Sequence, residues 1–123
     1  MEGYLAGRGM STLSLHTYQD ADDAVRVEVS GELDLSSAPT FEEALRRIEG
    51  QTKSPLIVLD LRDLKFMDST GLRLILSAHA RAVNQGRKLA IVQGGEAIKR
   101  IFRITGVFSR LNFVESPRAA TPS

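Results

Sequence analysis

Hydrophobic and polar residues alternate in two early stretches of the chain, residues 12–18 (TLSLHTY) and residues 25–33 (VRVEVSGEL). Alternation with a period of two is typical of strands that bury one face. The aspartate-rich DADD between the two stretches predicts a tight turn. Together they predict an N-terminal β-hairpin.

Two later runs are apolar without alternation, PLIVLDL at 55–61 and RKLAIVQ at 87–93. Unbroken apolar runs of this length indicate central strands that are covered on both faces. A short run, LNFVE at 111–115, predicts a last strand.

Apolar residues recur at helical spacing between these strands. The first predicted helix has Ser36 or Ser37 as its N-cap and Pro39 in its first turn. A second stops at Gly86, and a third covers about 96–105 before Gly106. The second helix has one apolar stripe and three residues that widen it: Leu72, Ile75, Leu76, His79 and Val83, then Leu74, Ala78 and Ala82.

The order is strand, strand, helix, strand, helix, strand, helix, strand. Strands that alternate with helices predict parallel crossovers, so we expect an α/β fold with a single mixed sheet of about four to five strands and about three to four helices. The length of 123 residues fits one domain. We place it at 11–116, between a flexible extension at 1–10 and a flexible tail at 117–123. Met10 is a candidate natural start, which would make residues 1–9 an upstream extension.

Composition excludes several classes of function. The net charge of +1, with no run of five like charges, argues against nucleic-acid binding. The absence of cysteine excludes a disulfide framework, a thiolate zinc site and a thiol nucleophile. No apolar run is long enough to span a bilayer or to form a signal peptide. We expect a cytoplasmic, monomeric protein without a metal or another cofactor.

The segment FMDSTGLRLI, residues 66–75, places an acid, two hydroxyls and a glycine between a predicted strand and a predicted helix. A receiver domain would explain Asp60, Asp63 and Asp68, but its acidic pair precedes a helix, whereas Asp22 and Asp23 precede an alternating strand. An aspartic protease would need Asp-Ser-Gly or Asp-Thr-Gly and a second copy of the motif. Neither class fits.

A hydrolase that uses Ser69 or Thr70 would need a general base, and the only histidines are His16 and His79. On a helix His79 lies about 13 Å along the axis from Thr70, too far for a hydrogen bond. We therefore expect no catalytic residue. The simplest role of the turn is a helix cap, in which Asp68, Ser69 or Thr70 accepts bonds from first-turn amides.

Three stretches in order resemble the anti-sigma factor antagonists, bacterial regulators of the STAS domain family. They are VSGELDLSSAPTFEEAL (29–45), IVLDLRDLKFMDSTGLRLIL (57–76) and ITGVFSRLNFVES (104–116). The resemblance implies the STAS fold and a phosphoacceptor at the second hydroxyl of the motif. That residue is Thr70, where many relatives carry serine; Ser69 is the alternative acceptor.

The resemblance also implies partner switching without enzymatic activity. The unphosphorylated protein binds an anti-sigma factor that is also a serine/threonine kinase and so frees a sigma factor for transcription. Phosphorylation on Thr70 ends the complex, and a PP2C-type phosphatase resets the switch.

Further residues receive partner-binding roles by the same resemblance: Asp34, Asp68, Ser69, Gly71, Leu72 and Arg73. Core packing is an alternative for Leu72, solvation for Arg73, and a polar position ahead of a helix for Asp34. Gly31 alternatively supplies only a turn.

A second functional class stays open, that of a non-switching STAS scaffold in a lipid-transport or other signalling complex. The intact Asp68-Ser69-Thr70-Gly71 string argues against it. The tail of an anion transporter would need transmembrane helices, and a nucleotide site of the Walker type would need a phosphate loop.

Overall fold

The computed structural model describes residues 13–19 and 23–117. Five strands form one sheet and three α-helices connect the parallel strands. The strands are β1 (Ser14–Gln19), β2 (Ala24–Leu33), β3 (Leu56–Met67), β4 (Lys88–Val92) and β5 (Asn112–Val114). The helices are α1 (Ala38–Gln51), α2 (Ser69–Asn84) and α3 (Glu96–Ile104), and a 3-10 turn covers Phe108–Arg110.

The sheet order is β1-β2-β3-β4-β5. Strand β1 pairs antiparallel with β2, so the predicted hairpin is confirmed, while the turn at 20–22 lies outside the described residues. The pairs β2–β3, β3–β4 and β4–β5 are parallel. Their carboxyl ends share one edge of the sheet, and the strand-helix-strand crossovers predicted from the apolar runs are confirmed.

All three helices pack on one face of the sheet. Their buried residues join the alternate, inward-facing residues of β2, β3 and β4 in one cluster, which includes Phe41 of α1, Ile75 of α2 and Phe102 of α3. A smaller cluster of five residues lies on the opposite face: Ala24, Leu56, Val58, Ala90 and Val92. Because β3 and β4 contribute to both clusters, their apolar runs, 55–61 and 87–93, do not alternate with polar residues.

Helix α2 is fixed against α1 by an ion pair that is largely shielded from solvent. Arg81 donates from Nε and Nη2 to the two carboxylate oxygens of Glu49, both at 2.8 Å. Their side chains are 17% and 11% exposed. A paired fork of this kind fixes direction as well as distance, so it helps to set the orientation in which α2 presents its first turn.

Strand β3 is longer than the apolar run predicts, since it continues to Met67. The charged residues after Leu61 are placed in a strand because β2 continues beside them, with Ser30 opposite Asp63 and Leu33 opposite Met67. Gly31 likewise lies inside β2, at an irregularity in the register, so the alternative that it supplies only a turn is wrong.

Two details of the helices differ from prediction. Ser37 occupies the N-cap position of α1, but its side chain makes no cap hydrogen bond. Val83 is 60% exposed, because the buried stripe of α2 runs through Leu72, Ile75, Ala78 and Ala82 and leaves Val83 on the outer side. Gly86 does supply the left-handed stop, with φ 73°.

The limits predicted for the domain and its two flexible ends stay a prediction. Residues 1–10, and all of 117–123 except Pro117, lie outside the described residues. Within the described ranges, no helix is both long and apolar enough to cross a membrane.

Candidate functional site

The turn formed by residues 68–71 (DSTG) lies at the carboxyl end of β3, where the chain passes directly into α2. Asp68 is the only residue between the last strand residue, Met67, and the first helical residue, Ser69. Its backbone is extended, with φ −106° and ψ −171°, and its Oδ1 accepts a hydrogen bond from the Gly71 amide at 3.1 Å. Asp68 is therefore the N-cap of α2, and neither hydroxyl is needed for that role.

The same carboxylate also holds the neighbouring loop, residues 34–37, which connects β2 to α1. Asp68 Oδ2 accepts a hydrogen bond from the Leu35 amide at 3.3 Å. The Asp68 amide in turn donates to the Leu33 carbonyl at 3.2 Å. Asp68 thus connects its own turn to a segment 33 residues earlier in the sequence, through both its side chain and its backbone amide.

Ser69 and Thr70 occupy the first turn of α2, immediately after this cap. Ser69 is exposed and Thr70 is half-buried. First-turn amides have no acceptor within their own helix, and the positive end of the helix dipole lies there. A phosphate on either hydroxyl would meet a favourable local potential, apart from the nearby Asp68 carboxylate.

Gly71 is surrounded closely by the chain itself. A Cβ atom at this position would lie 2.7 Å from Met67 Cγ, 2.8 Å from Leu33 Cγ and 2.9 Å from the Leu33 carbonyl oxygen. Gly71 therefore allows α2 to pack closely against Leu33 at the end of β2. A role of Gly71 toward a partner stays a prediction.

The other two residues predicted on α2 have opposite environments. Leu72 is 6% exposed and belongs to the main hydrophobic cluster, which favours the core-packing alternative. Arg73 is exposed. Of the two, only Arg73 is accessible to a partner in this conformation.

Asp34 stabilises the loop that Asp68 holds. Its Oδ1 accepts hydrogen bonds from Ser36 Oγ at 2.8 Å and from the Ser37 amide at 3.1 Å. Hydrogen bonds from Ser36, and then from Ser37, lower the pKa of the Asp34 carboxyl below its ordinary value. Asp34 is predicted to lie near the turn at residues 68–71. The connection between them is indirect, since the next residue, Leu35, is the one that bonds to Asp68.

The histidines offer no catalytic partner for these hydroxyls. His16 is exposed on β1, at the far edge of the sheet from β4 and β5. His79 is half-buried on α2, and its Nδ1 has no hydrogen-bond partner within the part of the chain that the structure describes. Nor do the described ranges contain a group of three or more potential metal ligands.

The sequence assigns no role to Leu35 and names Ser37 only as a candidate N-cap of α1. Leu35 is 72% exposed although it lies only two residues after Leu33, the buried end of β2. Ser37 is buried, and its hydroxyl donates to the Glu32 carbonyl at 2.8 Å instead of capping α1. A leucine and a serine before a helix are ordinary local patterns. Only the three-dimensional contacts distinguish them, that of the Leu35 amide with Asp68 and that of the Ser37 hydroxyl with the Glu32 carbonyl.

Comparison with known proteins identifies the family. The model of the STAS domain matches residues 16–120. The chain is 39% identical over 89 residues to an anti-sigma-B factor antagonist of Staphylococcus epidermidis, covering 70% of this chain and 79% of that protein. It is 32% identical over 95 residues to the anti-sigma-B factor antagonist of Bacillus subtilis strain 168, covering 77% and 84% of the two chains.

Structural comparison agrees with these sequence matches. The crystal structure of an anti-sigma factor antagonist from Mycobacterium paratuberculosis has a TM-score of 0.77 at 24% identity, and the match covers 87% of this chain and 89% of that one. At this identity the likeness shows the fold. The predicted mixed-sheet α/β fold is confirmed, and the chain belongs to the STAS domain family, with anti-sigma factor antagonists among its relatives.

Proposed function

We propose that this protein is an anti-sigma factor antagonist whose unphosphorylated form binds an anti-sigma factor that is also a serine/threonine kinase. Binding frees a sigma factor, and phosphorylation of Thr70 ends the complex. A PP2C-type phosphatase restores the active form. The protein is then a ligand and a substrate in the cytoplasm, without catalytic activity of its own.

The observation that carries this proposal is that the helix cap and the two hydroxyls at the start of α2 are on different residues. Asp68 already caps the helix through its contact with the Gly71 amide. Neither the Ser69 nor the Thr70 hydroxyl has a structural role as the N-cap, so either is free for chemistry. The names of the relatives support the assignment, since two of them are anti-sigma-B factor antagonists.

Electrostatics explains how one phosphate acts as a switch. A phosphothreonine carries about −1.5 to −2 charges at neutral pH. The helix N-terminus tolerates this charge, so the domain is expected to stay folded. In a complex, however, the phosphate would be buried beside Asp68 in a surface that fits the neutral hydroxyl, and burial of an unpaired charge costs several kcal/mol. The modified protein therefore dissociates.

The test is intact-mass and fragmentation spectrometry after incubation with ATP and each anti-sigma kinase of the same organism. We expect one phosphate on Thr70, retained in Ser69→Ala and absent from Thr70→Ala. Since Ser69 and Thr70 are neighbours in one turn, this pair of variants is a matched control. A phosphate on Ser69 alone would reassign the acceptor.

The non-switching scaffold is the alternative outcome of the same experiment. Tight binding to one anti-sigma factor without any phosphate would indicate a constitutive antagonist. Neither phosphate nor binding would contradict the proposal and favour a scaffold role.

A further inference from the structure

Leu35 is the most exposed large hydrophobic side chain in the described ranges, at 72%. Single exposed leucines are common on protein surfaces, so exposure alone carries no functional meaning. Leu35 differs from an ordinary surface leucine in how its backbone is held and in which residue holds it.

The backbone on both sides of Leu35 is fixed by side-chain hydrogen bonds. The Leu35 amide donates to Asp68 Oδ2 at 3.3 Å. The residue before it, Asp34, accepts from Ser36 Oγ at 2.8 Å and from the Ser37 amide at 3.1 Å. A hydrophobic side chain on an ordered backbone loses little conformational entropy when a partner covers it, and this lowers the cost of binding.

Asp68 connects Leu35 to the turn that contains Thr70. One carboxylate oxygen caps α2 at Gly71 and the other holds Leu35. The backbone of the exposed leucine and the N-cap of the Thr70 turn therefore lie within one hydrogen bond of each other, at the carboxyl ends of β2 and β3. A partner that approaches Thr70 closely enough to phosphorylate it also meets Leu35.

We propose that Leu35 is the apolar anchor of the interface with the anti-sigma factor, and that Asp68 is a positioning residue that holds this anchor beside Thr70. The inference rests on the proposed function and names the surface through which it acts. The partner needs an apolar pocket for one leucine side chain. Because the carboxylates of Glu32, Asp34 and Asp68 lie close to Leu35 in the chain or in space, the rim of that pocket is basic.

The first test compares two truncations of nearly equal exposure. Leu35→Ala should weaken binding of the unmodified protein to its anti-sigma factor by about 30-fold or more, as expected for a central anchor. Ile104 is 71% exposed at the end of α3, so Ile104→Ala is the matched control and should change affinity by less than about twofold. Affinity is measured by titration calorimetry, and thermal unfolding checks that both variants fold.

The second test separates the two functions of Asp68. In Asp68→Asn one oxygen still accepts from Gly71, but the second acceptor for the Leu35 amide is replaced by a donor. We expect weaker binding at nearly unchanged stability. If Asp68 acts through Leu35, the double variant Leu35→Ala/Asp68→Asn binds no more weakly than Leu35→Ala alone. Fully additive losses would contradict the positioning role.

The outcomes for this inference and for the proposed function are distinguishable. Binding and phosphorylation of the wild-type protein, together with wild-type affinity of Leu35→Ala, would overturn the anchor and leave the proposed function intact. Absence of binding and phosphorylation in the wild-type protein would overturn both.

Discussion

The starts of α2 and α3 both follow a parallel strand at the same edge of the sheet, yet they satisfy their first turns differently. Helix α2 is capped by the Asp68 side chain and has no acidic residue in its first turn. Helix α3 begins after Gly95 without a side-chain cap and has Glu96 in its first turn, paired with Arg103 at 2.7 Å.

The difference concerns where the chain supplies negative charge. A helix N-terminus attracts negative charge through its dipole and its unpaired amides. In α3 the carboxylate lies within the first turn, whereas in α2 it lies at the N-cap and the first turn holds two hydroxyls and a glycine. A phosphate on α2 would therefore add a second negative charge, inside the first turn, next to the Asp68 carboxylate.

The largest effect is expected from filling the space at the two glycines that lie closest to the strands. A Cβ at Gly71 would contact Leu33 and Met67, and one at Gly94 would run into the Leu61 carbonyl oxygen. Gly71→Ala and Gly94→Ala should each lower the free energy of unfolding by about 1–3 kcal/mol, because backbone atoms have to move. Urea unfolding measures the change.

Gly95 provides the control for these substitutions, because a Cβ there has no atom within 4 Å. Gly95→Ala should cost less than either of these substitutions, under about 1 kcal/mol, because Gly95 is the N-cap of α3 and alanine caps a helix less well than glycine. Equal losses at Gly71 and Gly95 would show that loss of glycine, and not close packing, explains the effect.

A smaller effect is expected from removing the α2 cap. Asp68→Ala should cost about 1 kcal/mol in the free energy of unfolding, since the Gly71 amide loses its acceptor. Asp68→Asn keeps an acceptor and should cost clearly less. Chemical denaturation of both variants measures the difference, and equal costs would mean that charge and not capping gives Asp68 its structural value.

The two smallest expected effects concern acid sensitivity, and the larger of the two belongs to the loop beside α2. Hydrogen bonds from Ser36 and Ser37 lower the pKa of Asp34 below its ordinary value of 3.8. Because the folded pKa is the lower one, the contribution of Asp34 to stability is fully present above the ordinary value and is lost as pH falls through the folded pKa. Unfolding between neutral pH and pH 3 should depend less on pH in Asp34→Asn than in the wild type.

Glu96 gives the corresponding comparison on α3. Its pKa is lowered by its hydrogen bond and ion pair with Arg103, so the sign of its pH dependence is the same. The Glu96 side chain is exposed and solvent screens the pair, so Glu96→Gln should flatten the pH dependence less than Asp34→Asn. The opposite order would contradict the view that the loop beside α2 is the more tightly held region.

Much of this architecture follows from local sequence pattern. Period-two alternation predicts the β1–β2 hairpin, and unbroken apolar runs predict the central strands β3 and β4. These signals are strong because burial on one face or two faces directly sets the spacing of apolar residues. The second half of β3 was missed, since its charged residues occupy strand positions only because β2 extends beside them.

The candidate site is less predictable because it depends on contacts between distant segments. The residues around Thr70 predict the turn between β3 and α2, and Asp68 is foreseeable as a cap. The contact between Asp68 and the Leu35 amide joins residues 33 positions apart, and no local period encodes it. The same applies to Ser37, whose hydroxyl binds the Glu32 carbonyl instead of the helix that it precedes.

The most direct test of the switch is the affinity of one anti-sigma factor for the unmodified protein and for the same protein phosphorylated on Thr70. We predict that the unmodified form binds at least about 100-fold more tightly, as burial of an unpaired phosphate charge requires. Circular dichroism should show both forms equally folded. Equal affinity of the two folded forms would contradict the account, because the phosphate would then not control the partner.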